Sequence, residues 1–551
     1  MLLLLAIFTF NVRAQDLSNF KQNKSSVHGS FSTTGIAYNY SGLINPRKPP
    51  FTYILSGNIN VNLKGLVFPF SFTFSDRNFD FRQPFNRFGL SPQYKWITLH
   101  LGYRNIHFDK YVMGGHTVLG AGVELNPGHF RFGFVYGRLR KKTNHAINVN
   151  NPLSDTLNDF TRKMMSLKIG VGSNRTFFDL IVLWAADDTT SIESTYRERG
   201  LFPASNLVTG LNSKIALSKT LHFEGEIAFS VYTLNQNSAI KYDVPQFLEK
   251  IIPVNMSTNG YMAARALLEY KNKKGLRFGL LYRRVDPDYA SMGTYFINND
   301  VENITLNTGF MAIKRKLRFN GSFGLERNNL NTRRNATTKK MIGSAMISYD
   351  PVKFFGMTIN YSNYSVNQQP GRIQIADSIK LYQTNGSIMF MPHFQFINKD
   401  NKISHIISYA FTRMNLNDKN EFSTSNMDFV TLNHIFTYGI TFIPARLSLT
   451  ANFNYNQVLM EVSNSTNIGA NLGVNKSLMK NKLAIGISSN FMKSKNDTQS
   501  VMVITPRFST RVKLGKHHRF KLRFNIISTH NQTNDKTSLE EIGDLNYVFS
   551  F

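Results

Sequence analysis

The strongest constraint in this sequence is a hydropathy period of two that recurs from about Leu55 to the final residue, Phe551. Leu55, Gly57, Ile59, Val61 and Leu63 alternate with Ser56, Asn58, Asn60 and Asn62. After Lys64-Gly65 the pattern resumes as Phe68, Phe70, Phe72 and Phe74, separated by Pro69, Ser71 and Thr73. Successive side chains of a strand point to opposite faces, so each of these segments has one apolar and one polar face. The pattern returns at Phe130, Phe132, Phe134 and Tyr136, at Phe223, Gly225, Ile227, Phe229 and Val231, at Leu317, Phe319, Gly321, Phe323 and Leu325, and at Leu447, Leu449, Ala451, Phe453 and Tyr455. A soluble sandwich buries the apolar face in a core. A membrane barrel turns it to lipid and gives the polar face to the lumen.

Connection lengths choose between the two. Tight turns such as Lys64-Gly65, Asn126-Pro127-Gly128, Asp350-Pro351 and Lys480-Asn481-Lys482 alternate with long polar stretches over 139–162, 187–204, 233–258, 286–302, 365–380 and 413–426. Short turns at one rim and long loops at the other belong to outer-membrane barrels. The expected fold is therefore all-β: a large single-chain antiparallel transmembrane β-barrel of about 24 strands, in a range of roughly 22–26, over residues 27–551. The stretch from Trp96 to Leu125 resists simple up-and-down threading. It requires either an extra crossing around Ile106 to Met113 or an inward fold. Side chains cannot fill so wide a barrel, so inward loops, the segment 79–95 or a partner are expected to occupy it.

Composition agrees. Apolar residues make up 42% and aromatics 13%, with 46 Phe and 23 Tyr but 2 Trp. Beyond the first dozen residues, no apolar run approaches the ~18–20 residues of a membrane helix. The chain has no Cys, which excludes disulfides, thiol nucleophiles and Cys-ligated metals. Met1 to Phe10 is apolar and Val12-Arg13-Ala14 precedes Gln15, as in a secretory signal over residues 1–14. A polar lead over 15–26 (QDLSNFKQNKSS) follows. The signal lacks a basic start, which puts Met1 in question as the true first residue. Lys plus Arg exceed Asp plus Glu by 64 to 34, a net +30. Without a nucleic-acid motif and in an exported chain, that excess points to lipopolysaccharide phosphates or an anionic solute, not to nucleic acid.

The last residues repeat the alternation: Leu545, Tyr547, Phe549 and Phe551 flank Asn546, Val548 and Ser550. This resembles the C-terminal assembly signal of outer-membrane barrels and implies the barrel assembly machinery as a partner. Longer segments carry a family resemblance: FRQPFNRFGLSPQYKWITLHLGYRN (Phe81 to Asn105), GHTVLGAGVELNPGHFRFGFVYGRLRK (Gly115 to Lys141), YRRVDPDYASMGTYFINNDVENIT (Tyr282 to Thr305) and the stretch from Gly321 to Tyr349. In these the chain resembles an uncharacterised family of outer-membrane β-barrels of Bacteroidota. The resemblance implies location and fold and carries no activity. Within it, Asp155-Thr156-Leu157 and Asp377-Ser378-Ile379 resemble the Asp-Ser/Thr-apolar glycosylation site of that phylum.

Few residues suggest chemistry. His222, Glu224 and Glu226 share one strand face, but rungs ~6.6 Å apart are too far for one metal ion, and salt bridges with Arg265 on the next strand fit better. Arg283, Arg284, Asp286 and Asp288 read as a capped loop, and His517-His518 as a solvated basic turn. No nucleophile system of a barrel phospholipase or protease is evident, so no catalytic residue, metal or cofactor is assigned and the chain is not read as an enzyme. A TonB-dependent receptor would place a plug domain of well over a hundred residues before its barrel, whereas alternation here begins by about Leu55. What remains is a transport or secretion-associated channel component, or a docking barrel for surface proteins or envelope glycans, with outer-membrane lipid, lipopolysaccharide and envelope or secretion-system proteins as partners. Arg131, Lys168 and Arg318 alternate with apolar neighbours. They are therefore expected to point into the lumen and favour anions there.

Overall fold

A computed structural model describes residues 25–42, 46–76, 87–143, 159–192, 201–249, 251–370, 382–398, 400, 402–419, 428–461 and 463–551. One antiparallel sheet of 27 strands runs through nearly all of them. Arg87–Leu90 and Gln93–Tyr94 share a single crossing, since both lie between Leu66–Ser75 and Ile97–Asn105. The wall therefore has 26 crossings, an even number within the expected range. The first strand, Ser26–Ser41, pairs with the last, Lys536–Ser550, from Ser30↔Ser550 to Ser41↔Leu539, and this closes the ring.

The crossing that alternation hides is Arg87–Tyr94. Its ladder breaks at Ser91-Pro92, where proline has no N–H to give, and two fragments of four and two residues show no period. This removes one candidate for filling the lumen and decides between the two readings of Trp96 to Leu125. The described part of 79–95 is wall and does not fill the lumen. Ile97–Asn105 and Thr117–Leu125 are antiparallel neighbours, with Ile97 opposite Leu125, so 106–116 is an inward fold and not a crossing.

Turn chemistry fixes one rim. Lys64, Lys95 and Lys480 take the left-handed conformation (φ 52°, 52° and 53°), with Gly65, Gly128 and Gly275 at the equivalent bends. Ser26 and Ser550 lie at this same rim, because an even number of crossings returns the chain to the side where it began. Three stretches rich in Lys and Arg divide between the rims: Lys271–Lys274 belongs to the turn rim, whereas Arg138–Lys142 and the start of Arg333–Lys340 belong to the loop rim.

The outer face is an apolar band. Ile227 and Phe229, on a single strand, are each 53% exposed, as on the lipid-facing side of a membrane barrel. Polar aromatics flank the band. Toward the turn rim His405 Nδ1 meets Tyr438 Oη at 3.0 Å, and toward the loop rim His434 Nδ1 meets Tyr409 Oη at 2.7 Å. His518, placed in a solvated turn by sequence, instead meets Tyr547 Oη at 2.8 Å, stacks on that ring and lies tilted against Phe549. Beside it, His517 Nδ1 meets Ser550 O at 2.6 Å. Part of the connection between Leu221–Thr233 and Thr258–Lys271 lies down over the outside of the wall. There Trp184 Nε1 donates to Ile251 O (2.6 Å) and Thr233 Oγ1 to Pro253 O (2.9 Å).

Candidate functional site

The lumen is the site, and one side of it carries an inner buttress. Residues 106–116 and 286–300 leave the loop rim and turn into the barrel. They meet as a two-residue parallel ladder, Met113–Gly114 beside Gly293–Thr294. Ser291 Oγ donates to Val112 O (2.6 Å) and Tyr289 Oη to Tyr111 O (3.1 Å). The wall supplies further partners: Met292 N donates to Asn206 Oδ1 (3.0 Å) and Ser230 Oγ to Ala290 O (2.7 Å). These bonds satisfy backbone groups that irregular segments would otherwise leave buried and unpaired. Asp109 caps the first loop, its Oδ1 accepting from Tyr111 N (2.7 Å) and Val112 N (3.0 Å). Its Oδ2 is buried without a hydrogen-bond partner, and burial pushes this carboxyl above its ordinary range.

Packing does the rest. Phe108, Tyr111, Val112, Met113, Tyr289 and Met292 bury against Val135, Met164, Ile181, Leu183, Val208, Ala228 and Ala263, which are inward positions of the wall. Two glycines let the loop approach. A Cβ on Gly210 would overlap Val112, and one on Gly133 would stand 2.7 Å from the Phe108 ring. Sequence reading missed this contact surface, although a signal exists. From Leu180 to Ala186 every residue is apolar, and a strand apolar on both faces is covered on both faces.

Each cation singled out by alternation stands against a carboxylate. Arg131 meets Asp179 through Nε–Oδ1 (2.7 Å) and Nη2–Oδ2 (2.9 Å) and stacks on Phe177. Lys168 Nζ lies 3.1 Å from Glu124 Oε2 and over the Phe108 ring of the buttress. Arg318 Nη2 lies 2.7 Å from Asp350 Oδ2 near the turn rim. Glu224 and Glu226 both reach Arg265, at 3.7 and 3.3 Å, and Lys214 binds Glu224 at 2.7 Å. His222 does not join them in a metal site, and no group of three or more ligating side chains suited to a metal occurs among the described residues. Arg284 and Asp286 are 3.5 Å apart, and Asp286 Oδ2 accepts from Met262 N, as a loop cap should. The glycosylation-like triplets and the signal segment lie outside the described residues.

Above the buttress, toward the loop rim, a cavity of about 410 Å³ is lined by His116, Arg140, Arg162, Tyr232 and Tyr295. Its arginines are occupied: Arg162 grips Asp187 at 2.8 Å, and Arg140 spans Asp159 (2.7 Å) and Asp187 (3.3 Å). Elsewhere a cavity of about 610 Å³ opens on Asn307, Asn320, Ser322, Ser344 and Asn360, with Leu267, Arg277 and Met346 among its apolar and charged neighbours. Leu545, Tyr547, Phe549 and Phe551, the residues that resemble an assembly signal, lie on the seam. Tyr547 and Phe549 stand opposite Thr33 and Phe31 of the first strand, Leu545 opposite Gly35, and the main chain of Phe551 exchanges two hydrogen bonds with Gly29.

No family model and no curated protein matches the chain. Among solved structures it is similar to the translocation pore of the P pilus usher PapC, with 10% identity, a TM-score of 0.36, and coverage of 96% of this chain and 99% of that one. It is also similar to OccAB4 of Acinetobacter baumannii (9% identity, TM-score 0.30, coverage 95% and 98%) and to OccK2 of Pseudomonas aeruginosa (8%, 0.30, 95% and 98%). Likeness at this level is silent on cargo.

Proposed function

We propose that the chain is a channel of a bacterial outer membrane, open along one arc of its wall and buttressed along the other. The observation that carries this reading is the split interior. Among the described residues the apolar core of the buttress packs on the wall between Thr117 and Ala312, while beside it the inward face carries a cavity whose amides and hydroxyls, from Asn307 to Ser362, water can reach. A strand spacing of ~4.8 Å and a tilt of ~40° give 26 crossings a perimeter of roughly 160 Å, far more than two loops of 11 and 15 residues can span. The apolar outer band, aromatic flanks and alternating C-terminal strand support an outer-membrane setting, with lipopolysaccharide around the loop rim and delivery by the barrel assembly machinery. The long segments resembling Bacteroidota barrels support that phylum. Purified, folded protein in planar bilayers should give stepwise conductance that persists without any partner. A barrel that folds, inserts and stays silent overturns the reading in favour of a docking role for surface proteins or envelope glycans.

A further inference from the structure

The charge of the lumen is concentrated where no carboxylate reaches it. The nine strands from Phe355–Pro370 to His518–Asn531 contain one acidic residue, Asp418, at the loop end of its strand. The last two of these strands carry Arg507, Arg511 and Lys513, and Arg519, Lys521 and Arg523. All six alternate with outward residues such as Phe508, Leu522 and Phe524, so they face the lumen, from mid-strand at Arg507 to the turn rim at Lys513 and Arg519. Register sets Arg511 directly opposite Lys521 and Lys513 directly opposite Arg519. Like charges so placed stand ~4.5–5.5 Å apart at Cβ and destabilise a sheet.

Two of the six are engaged. Arg523 Nε meets Asp544 at 2.8 Å, and Arg507 Nε meets Asn525 Oδ1 at 2.8 Å. The flanking inward positions, Lys482 and Ala484 on one side and Asn546 and Val548 on the other, offer no carboxylate, and Lys482 adds a further cation. Arg511, Lys513, Arg519 and Lys521 are exposed and have no hydrogen-bond or ion-pair partner among the described residues. Four bare cations in two facing pairs, with rungs ~6.6–6.8 Å apart along the strand, cost stability unless an anion sits among them. Guanidinium forks beside ammonium groups suit phosphoryl or clustered carboxyl oxygens.

We infer that these four residues form a binding site for a multiply charged anionic solute at the turn-side mouth of the lumen. This deepens the channel reading by naming the class of cargo, and it separates the anion-binding cations from Arg131, Lys168 and Arg318, whose charges are already matched.

Two measurements with inorganic tripolyphosphate test it. In calorimetry at low ionic strength, where screening is weak, the folded full-length barrel in detergent should bind tripolyphosphate, and R511Q/K521Q should bind at least tenfold more weakly. R511K should retain most of the affinity, and a control, K273Q/K274Q at an exposed turn of the buttressed arc, should change it less than twofold. Removing facing like charges relieves repulsion, so the glutamine variant should fold at least as well, which heat-modifiable mobility checks. In planar bilayers, tripolyphosphate added at the turn side should block chloride current, and the double variant should lose the block and shift the reversal potential toward cations. Unchanged affinity in R511Q/K521Q, or loss of affinity equal to that of K273Q/K274Q, overturns the site. Binding that is lost in the variant while the wild-type barrel stays electrically silent keeps the site and overturns the channel instead.

Discussion

Two arcs of the same wall solve different problems. From Thr117 to Ala312 the strands are 9–14 residues long, and many of their inward positions are apolar and covered by the buttress. The inward cations there are matched one by one, Arg131 to Asp179, Lys168 to Glu124 and Arg265 to Glu226. From Phe355 to Asn531 the strands are 14–16 residues long and almost free of acid. From Ala336 onward, Val366, Thr338, Glu540 and Asp544 are the buried side chains among the described residues. Outside, both arcs present the same exposed apolar side chains. The difference teaches that period-two patterning reports the outer face faithfully, whereas the inner face answers to whatever the lumen holds.

A single lysine should expose the contrast most strongly. Val208→Lys places an unpaired charge beneath Val112, at a position 0% exposed, and burying such a charge without a partner costs several kcal/mol at least. We expect the folded, heat-modifiable fraction to collapse, or the buttress to be expelled and 106–116 to become cleavable by added protease. Asn452→Lys, also inward but in the open arc, should stay within ~0.5 kcal/mol of wild type. Leu449→Lys, facing lipid, should cost ~2–4 kcal/mol. If Val208→Lys is as harmless as Asn452→Lys, the buttress does not pack on this wall.

Ion pairs give a second, smaller contrast. Asp179 is 2% exposed and Asp350 38%. Asp179→Asn strands Arg131 inside and should lower stability by ~3–5 kcal/mol, read as an earlier urea midpoint. Asp350→Asn removes a solvated pair and should cost at most ~1 kcal/mol. Equal midpoints for the two variants would show that the interior is equally wet on both sides.

The smallest effect concerns pH and is confined to the buttressed arc. The Asp109 carboxyl is raised because burial disfavours its charged form. Its contribution to docking is therefore full below the ordinary aspartate value of ~3.9 and is lost as pH rises through the raised folded value. Protection of the Tyr111 and Val112 amides, corrected for intrinsic exchange, should be greatest in acid and fall across that window. Asp109→Asn should flatten the profile, and a wild-type profile already flat would show that the carboxyl is solvated.

Much of this architecture is legible before any coordinates. Alternation at Phe130–Tyr136 and Leu447–Tyr455, with tight turns after Leu63 and before Leu447, gives strands, faces and rims from geometry alone. Arg87–Tyr94 escapes because Pro92 splits it into fragments shorter than one reliable period. The buttress escapes because its bonds, Tyr289 to Tyr111 and Ser230 to Ala290, join residues 178 and 60 positions apart, and no local pattern encodes such a meeting. Arg131 and Lys168 look like free lumen charges in one dimension. Their partners Asp179 and Glu124 lie on other strands, 48 and 44 residues away. The bare cations at Arg511 and Lys521 have a subtler sign, the near absence of Asp and Glu from nine successive strands, and that is a property of a region, not of a motif.

The buttress also changes what kind of mechanical object the barrel is. A ring held only by its hydrogen-bond ladder deforms evenly, as a hoop does under a thumb. Here Met113–Gly114 and Gly293–Thr294 clamp together two segments that start from wall positions far apart in the chain, and the side chains beneath them tie in the strands between. That arc behaves as a splint. Bending therefore concentrates in the unsupported arc opposite, and a breathing motion that widens or narrows the cross-section hinges where the splint ends, near Ala312 on one side and Thr117 on the other.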